Sequence, residues 1–528
     1  WIMFCVNNFI RCLKLHCNRQ ALGDVYMRSI ISHIAGVVVA FSFAVSILFF
    51  AWFNSPYQIP EAYNTKWSAL FICAIIFFLV LFLPRKTCAG SKFKYLLWVV
   101  SALIAFPFAV TRLIFGTNDL SAILIFFRDN QIDDMVVIGG DSFSIPIGFS
   151  LVVFIIMMLC SLYLFARKRH FDIVALVIAC LFVILSPITL YVKEALIENK
   201  LQTAFEPATE MSLKITARPS EQRNLIVIYL ESLERTYGQL DETQKAYGAI
   251  QKIADDSIES VNMHQTFGTT YTIAGIVASQ CGVPLLSPGL SNIFFRKGIK
   301  QSMDTFLPSL TCLGDVLSDD GYHMSYLNGA SLNRFSKRGF FKTHGFTTLL
   351  GSDEVAPEIM SGRTNPFGMN DALLFEFIYD EFDRLNAQPD PFSINALTIS
   401  THGPDAFLDG DCPTDNNAKS QLPTAIACTA QHLEKLISYV RSKPSTRPTD
   451  FVILSDHLAL PNTLSKKLRS KSDDRRNLFF IHTAQDTKTI QRASTPLDIY
   501  PTILEHLGYE LVGGQANLGR SLFTEHEN

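Results

Sequence analysis

Five long apolar runs within the first 193 residues constrain this 528-residue chain more than any other feature. Residues 31–53 run for 23 positions without a formal charge, 67–83 and 95–111 for 17 each, and 147–166 and 173–192 for 20 each. A hydrocarbon core about 30 Å thick is crossed by roughly 20 helical residues, within a range of about 17–25. A single run of this length also suits a buried core helix, but five in succession with charged punctuation predict five transmembrane helices over 1–193. Composition points the same way: hydrophobic residues make up 48% of the chain and charged residues 18%, below the roughly 25% of a soluble domain. The 42 Phe exclude general disorder, and a fully soluble enzyme is not expected. A formal net charge of −3 gives no reason to expect a nucleic-acid partner, which needs a basic surface.

Basic residues set the orientation. The leading tail carries Arg11, Lys14, Arg19 and Arg28; the loop after the second run carries Arg85, Lys86, Lys92 and Lys94 with no acid; Arg167, Lys168 and Arg169 follow the fourth run. These segments belong on the cytoplasmic side. The loop over 116–143 holds Asp119, Asp129, Asp133, Asp134 and Asp141 against Arg128 alone. With five spans and the tail inside, everything beyond about 194 is expected outside. The tail is too long and polar to be a cleavable signal, and because the chain opens on Trp1, a few residues are expected to precede it.

From 194 the composition becomes that of a globular domain. Residues 194–223 read as a juxtamembrane linker, and 224–528 as one domain large enough for a substantial core. Near-continuous apolar strands are expected at 224–230, 392–399 and 451–454, separated by helical stretches, which indicates an α/β sheet covered on both faces. Four of the eleven Cys fall in this half: Cys281, Cys312, Cys412 and Cys428. An oxidising compartment allows three pairings. The short loop between Cys412 and Cys428 favours that bridge, leaving Cys281 with Cys312.

The three strands run into polar residues of one chemical kind: Glu231-Ser232, Thr401-His402-Gly403-Pro404 and Asp456-His457. In open α/β sheets, ligands gather beyond the carboxyl ends of strands, and Asp, Glu and His suit Mn, Mg or Zn. Each motif alone is weak, and a lone Asp-His pair after a strand is more often a cap or a loop ion pair; their convergence makes a metal site the better reading. A fourth piece, 268–280 (GTTYTIAGIVASQ), places Thr272 at or near a helix N-terminus, where free N–H groups favour a phosphate. The plain alternative is a Thr N-cap. A Thr hydroxyl becomes a nucleophile only beside a base or metal, and a cation on Glu231, Asp456 and His457 would activate it.

The stretches 224–237 (NLIVIYLESLERTY), 271–284 (YTIAGIVASQCGVP) and 494–508 (STPLDIYPTILEHLG) together resemble the alkaline phosphatase and sulfatase superfamily. More narrowly they resemble its membrane-bound phosphoglycerol transferases, a group that includes lipoteichoic acid synthases and glucan-modifying enzymes. The resemblance covers roughly 224–523, and five preceding spans also match the group. It implies an α-helical membrane domain joined to an alkaline-phosphatase/sulfatase-like α/β periplasmic domain with a central sheet covered by helices.

By resemblance, Glu231, Thr272, Asp456 and His457 surround one divalent metal ion, with Mn2+ favoured over Mg2+ or Zn2+. His402 corresponds to a substrate-binding His, and Arg334 in the stretch 332–335 (LNRF) to an Arg that holds the phosphoglycerol. The implied reaction moves phosphoglycerol from phosphatidylglycerol to a periplasmic oligosaccharide through a Thr272 intermediate, releasing diacylglycerol. Its implied setting is a bacterial inner membrane with the catalytic domain in the periplasm. Sulfate-ester hydrolysis is not expected, because Cys281-Gly-Val-Pro284 departs from the C-x-P-x-R element of sulfatases in spacing and lacks its Arg. The rivals are a phosphoethanolamine transferase acting on lipid A, a lipoteichoic-acid-type polymerase, and a scaffold without activity, which would have lost the ligands that are all present here.

Overall fold

The computed structural model describes residues 213–524 apart from 267, 286–304, 404, 411, 413–419, 461, 472–473 and 485. The five expected spans and their orientation lie outside the described residues. Among the described residues, no helix is long and apolar enough to cross a membrane.

Eight strands form the central sheet: β1 (Asn224–Leu230), β2 (Ile258–Ser260), β3 (His323–Asn328), β4 (Thr348–Leu350), β5 (Phe392–Leu397), β6 (Thr449–Ser455), β7 (Phe479–His482) and β8 (Lys488–Ile490). Their spatial order is β8-β2-β7-β6-β1-β5-β3-β4. The five strands from β6 to β4 are parallel, and β7 runs antiparallel to both its neighbours. The expected α/β sheet is thus present, as a mixed one. The expected strand over 392–399 ends at Leu397, and that over 451–454 extends in both directions.

The main helices are α1 (Gln244–Asp255), α2 (Thr272–Cys281), α3 (Leu313–Asp319), α4 (Lys337–Thr343), α5 (Asp371–Asn386), α6 (Leu422–Ser442) and α7 (Ile499–His506). Every residue of β1 is buried, and the two-residue period of a strand sorts its side chains between two cores. Leu225, Val227 and Tyr229 join Ile273 and Ile276 of α2, Leu313 of α3, Phe340 of α4 and Ile503 of α7. Ile226, Ile228 and Leu230 join Ile250 of α1, Leu374 of α5 and Leu433 of α6. Each fully buried Leu or Ile adds roughly 1.5–3 kcal/mol of transfer free energy, so burial on both faces fixes β1 as the axis of three layers.

Both expected disulfides form. Cys281–Cys312 joins the end of α2 to the residue before α3, with Cα atoms 4.2 Å apart. Cys412–Cys428 joins the segment after β5 to α6, with Cα atoms 5.8 Å apart. Part of the expected linker belongs to the fold: residues 215–217 form a strand that pairs antiparallel with 510–511.

Two glycines separate crowding from flexibility. Gly275, on the first turns of α2, lies so close to Asp456 that a Cβ would overlap the Asp456 carbonyl oxygen. Gly248, inside α1, has open space around it. Gly248→Ala should stabilise the full chain by about 0.5–1 kcal/mol through helix propensity. Gly275→Ala should destabilise it by about 1–3 kcal/mol through overpacking. Chemical denaturation of the two variants checks both signs; equal shifts would refute the close helix–loop contact.

Candidate active site

Strand order assembles the site. β6, β1 and β5 are neighbours, and their register pairs Leu230 with Ser455 and Tyr229 with Leu397. The chain therefore leaves all three strands at one edge, delivering Glu231, the 398–402 segment and Asp456-His457 side by side. Glu231 and Asp456 are 1% exposed and His457 is fully buried. Their ligand atoms lie within 4.8 Å of one another.

Backbone and side-chain bonds aim these groups. Asp456 Oδ1 accepts from the N–H groups of Ser232 and His457, both at 2.9 Å. Glu231 N donates to Thr398 Oγ1 at 3.1 Å, and Thr401 Oγ1 donates to the Glu231 carbonyl at 2.5 Å. Ser232 adopts a left-handed backbone at φ 53° and donates its hydroxyl to Glu231 Oε1, the kind of strain that marks functional sites. His457 Nδ1 donates to the Leu458 carbonyl at 2.8 Å, which in the neutral imidazole leaves Nε2 with the lone pair. Nε2 lies 3.2 Å from Asp456 Oδ2 and 3.6 Å from Glu231 Oε1, yet among the described residues neither Nε2 nor Asp456 Oδ2 has a hydrogen-bond partner.

An orphaned carboxylate oxygen and an orphaned imidazole nitrogen would each cost about 1–3 kcal/mol. Two carboxylates and one imidazole with a fixed tautomer fit a divalent cation, which satisfies both atoms. Two other clusters of potential ligands among the described residues, Cys281, Cys312 and His344, and Asp409, Cys428 and His432, contain disulfide sulfurs and offer no comparable set. Burial, then repulsion from Glu231, pushes the Asp456 carboxyl up to about 7. At His457, burial acts downward, but the Asp456 and Glu231 carboxylates outweigh it and the net shift is upward.

Thr272 is the first residue of α2 and 9% exposed, and Tyr271 occupies the N-cap position. The simple Thr N-cap is therefore replaced by a hydroxyl inside the first turn. Gly275, one turn later on the same helix face, abuts the Asp456 backbone, which brings that turn of α2 to the ligand cluster.

His402 Nε2 is 3.9 Å from Glu231 Oε1. Its Nδ1 donates to the Gly403 carbonyl at 2.7 Å, so Nε2 is an acceptor. Although 21% of the side chain is exposed, burial, with His457 and Arg334 adding repulsion, pushes the imidazole down to about 4. The Arg334 guanidinium lies 6.0 Å over the Phe367 ring, and that ring is centred 4.1 Å from the His402 ring. The structure thus gathers Glu231, Asp456, His457 and His402 directly and connects Arg334 through Phe367.

Lys337 went unrecognised in the sequence. It is 3% exposed, and burial pushes its ammonium down to about 8 against the opposing pull of Glu231 and Asp456. Two consecutive left-handed residues, Phe335 at φ 57° and Ser336 at φ 56°, turn the chain between Arg334 and Lys337. Asn333 Nδ2 donates to Asp353 at 3.1 Å, and Ser331 and Arg338 bond Asp353 and Glu354. No local pattern announces a buried Lys, because its burial comes from tertiary packing. Glu234 was also missed; it accepts from Ala459 N and Arg475 and braces the segment after His457.

The Asp456 shift carries a pH dependence. A carboxyl whose folded value lies near 7, above the ordinary 3.8, stabilises the ion-free protein at low pH and loses that contribution as pH rises through about 7. Removing divalent ions with EDTA should therefore lower the melting temperature more at pH 8 than at pH 6, where a proton neutralises Asp456. An equal drop at both pH values would refute the assignment.

The family model described as Sulfatase matches residues 223–509. Phosphoglycerol transferase I of Citrobacter koseri is 34% identical over 312 residues, 57% of this chain and 39% of that protein. Phosphoglycerol transferase I of Salmonella paratyphi B is 32% identical over 376 residues, 68% of this chain and 47% of that protein. The match thus spans less than half the length of these curated relatives. Among solved structures, the lipoteichoic acid synthase LtaP from Listeria monocytogenes shares 15% identity over 60% of this chain and 80% of that chain, with a TM-score of 0.47. An alkaline phosphatase superfamily protein from Vibrio parahaemolyticus shares 21% over 60% and 72%, with a TM-score of 0.45. Since the matched family model covers more than half of the sequence, from the residue before β1 through α7, the chain belongs to the sulfatase family.

Proposed function

We propose that this protein is a membrane-anchored phosphotransferase that moves phosphoglycerol from phosphatidylglycerol to a periplasmic oligosaccharide of the osmoregulated glucan type, releasing diacylglycerol. The observation that carries the reading is the buried trio Glu231, Asp456 and His457 together with the close approach of Gly275, three residues after Thr272 on α2, to the Asp456 backbone. Relatives named phosphoglycerol transferase I at 34% and 32% identity support phosphoglycerol as the group transferred. Five N-terminal spans over 1–193 and a linker beginning at 194 would place the domain from about 224 on the periplasmic side of the inner membrane, where the disulfides Cys281–Cys312 and Cys412–Cys428 are stable. Sulfate-ester hydrolysis is disfavoured, because the Cys281 sulfur is held in a bridge and no C-x-P-x-R nucleophile element takes its place.

Glu231, Asp456, His457 and the Thr272 hydroxyl would hold the ion, with Mn2+ the favoured species. Bound there, it offsets the two carboxylates and makes the Thr272 hydroxyl a competent nucleophile. In the first displacement the Thr272 oxygen bonds to phosphorus as the bond from phosphorus to the diacylglycerol oxygen breaks, and the Thr272 proton ends on that oxygen. In the second, a sugar hydroxyl oxygen bonds to phosphorus, the Thr272 ester breaks, and the sugar's proton returns to Thr272. His402, neutral at pH 7 with a bare Nε2, takes up the proton before passing it on, rather than starting as a donor. Arg334 presents its planar fork to the phosphoryl oxygens, and Lys337 adds a second cation on the same side.

The full chain in detergent, given fluorescent phosphatidylglycerol or phosphatidylethanolamine with a glucan acceptor, should release diacylglycerol from phosphatidylglycerol alone. Release from phosphatidylethanolamine instead would transfer the reading to a phosphoethanolamine transferase. Thr272→Ala should still bind Mn2+ while losing at least about a thousand-fold in rate; retained turnover would remove Thr272 from the mechanism. For topology, alkaline phosphatase fused after residue 220 should be active and fused near residue 90 inactive. The opposite pattern would overturn the periplasmic placement.

A further inference from the structure

A short hairpin, with strands Thr364–Asn365 and Gly368–Met369, carries Phe367 in its turn. Met369 of the hairpin is fully buried in the core beneath α5 and α6, and the turn before it is built closely. Asn365 Oδ1 accepts from the N–H groups of Phe367 and Gly368 at 2.8 and 3.2 Å. Gly368 has φ 153°, and a Cβ there would run into the Gly329 carbonyl. Met369 N donates to that carbonyl at 2.8 Å, and Gly368 bridges Ala330. The hairpin is therefore stitched to the segment leaving β3, four residues before Arg334.

Phe367 belongs to a small apolar cluster separate from the two main cores, with Ala330, Ile399 and the half-buried Phe407. Ala330 lies on the Arg334 segment; Ile399 and Phe407 lie on the segment that carries His402. The ring thus sits where the two segments meet. Its centroid is 4.1 Å from the His402 ring at an interplanar angle of 42°, and the Arg334 guanidinium carbon lies 6.0 Å from it. That is the outer reach, about 6 Å, at which an aromatic face attracts a cation.

We infer that Phe367 is a positioning residue whose ring is the shared platform fixing the gap between Arg334 and His402 in which the transferring phosphoryl group is held. A ring beneath the face of a guanidinium restrains its plane, and so sets the direction of its N–H edge. The same ring limits tilting of the imidazole, so the bare Nε2 stays directed at the site. An aliphatic side chain of similar bulk fills the space but offers no face to the cation. The inference rests on the proposed roles of Arg334 and His402 as substrate-binding groups.

The test uses the full chain in detergent with Mn2+ and inorganic phosphate as the probe, followed by calorimetry, with diacylglycerol release measured alongside. Phe367→Leu should weaken phosphate binding about ten-fold while Mn2+ affinity and melting temperature stay near wild type. Phe367→Tyr, which keeps the ring, should restore binding to within about three-fold. Phosphate binding by Phe367→Leu equal to wild type, Phe367→Tyr as weak as Phe367→Leu, or a wild-type chain that does not bind phosphate would each overturn the platform. If wild type binds phosphate but releases diacylglycerol from neither lipid, the proposed reaction fails while the phosphate series still decides the role of Phe367. If diacylglycerol is released and the phosphate series is flat, the reaction stands and the platform falls.

Discussion

Two carboxylates and an imidazole, buried within 4.8 Å of one another, are the constraint around which the domain is arranged. Unpaired buried charge is among the least favourable things a protein can contain, so the surrounding chain does what it can without a cation. Asp456 Oδ1 is satisfied by two backbone N–H groups, and Glu231 receives the Ser232 hydroxyl. The His457 tautomer is set by a carbonyl. What remains, among the described residues, is one oxygen and one nitrogen without hydrogen-bond partners. These two unmet atoms are more economically explained as a cation site than as a packing fault, because Asp456 Oδ1, Glu231 Oε1 and His457 Nδ1 beside them are each hydrogen-bonded.

The same constraint explains why so much of the domain was legible in the sequence. Strands buried on both faces are largely apolar, so 224–230 and 451–454 stand out, and the polar residues that follow them stand out against that background. The disulfides were legible because four Cys in one half leave few pairings. Where the readings differed, longer-range contacts intervened. Residues 215–217 look like linker because nothing local reveals that 510–511 lies beside them. Thr272 resembles an N-cap by type, but the turn begins one residue earlier at Tyr271.

Lys337 and Phe367 illustrate the limit more sharply. Lys in a helix reads as a solvated charge, but here tertiary packing buries it, just after two left-handed residues. A non-glycine residue in that conformation costs of order 1–3 kcal/mol, and the Asp353 and Glu354 contacts to Ser331, Asn333 and Arg338 are what hold the turn in place. Phe367 is one of 42 Phe, and only its position between two segments far apart in sequence distinguishes it. Spacing carries no record of either fact.

The placement of Thr272 depends on more than the first turn of α2. An apolar helix resting on an apolar sheet can slide or rotate with little penalty, and such freedom would blur the position of a nucleophile. Polar bonds remove it. Gln280 Nε2 donates to Tyr229 Oη at 2.9 Å and to Asn395 Oδ1 at 3.0 Å, and Ser279 Oγ lies 3.0 Å from the same Tyr229 hydroxyl. Tyr229 is two residues before Glu231, and Asn395 stands on the strand that leads to His402, so the helix is keyed to both strands that deliver the site. At its far end, Cys281 is bridged to Cys312, and its carbonyl accepts from Asn517 at 2.7 Å. Displacing any of these buried donors without its partner leaves an unsatisfied group, at about 1–3 kcal/mol each. Rotation of α2 would break several at once, and the hydroxyl at its N-terminus is therefore held in register with the ligands by bonds a full helix length away.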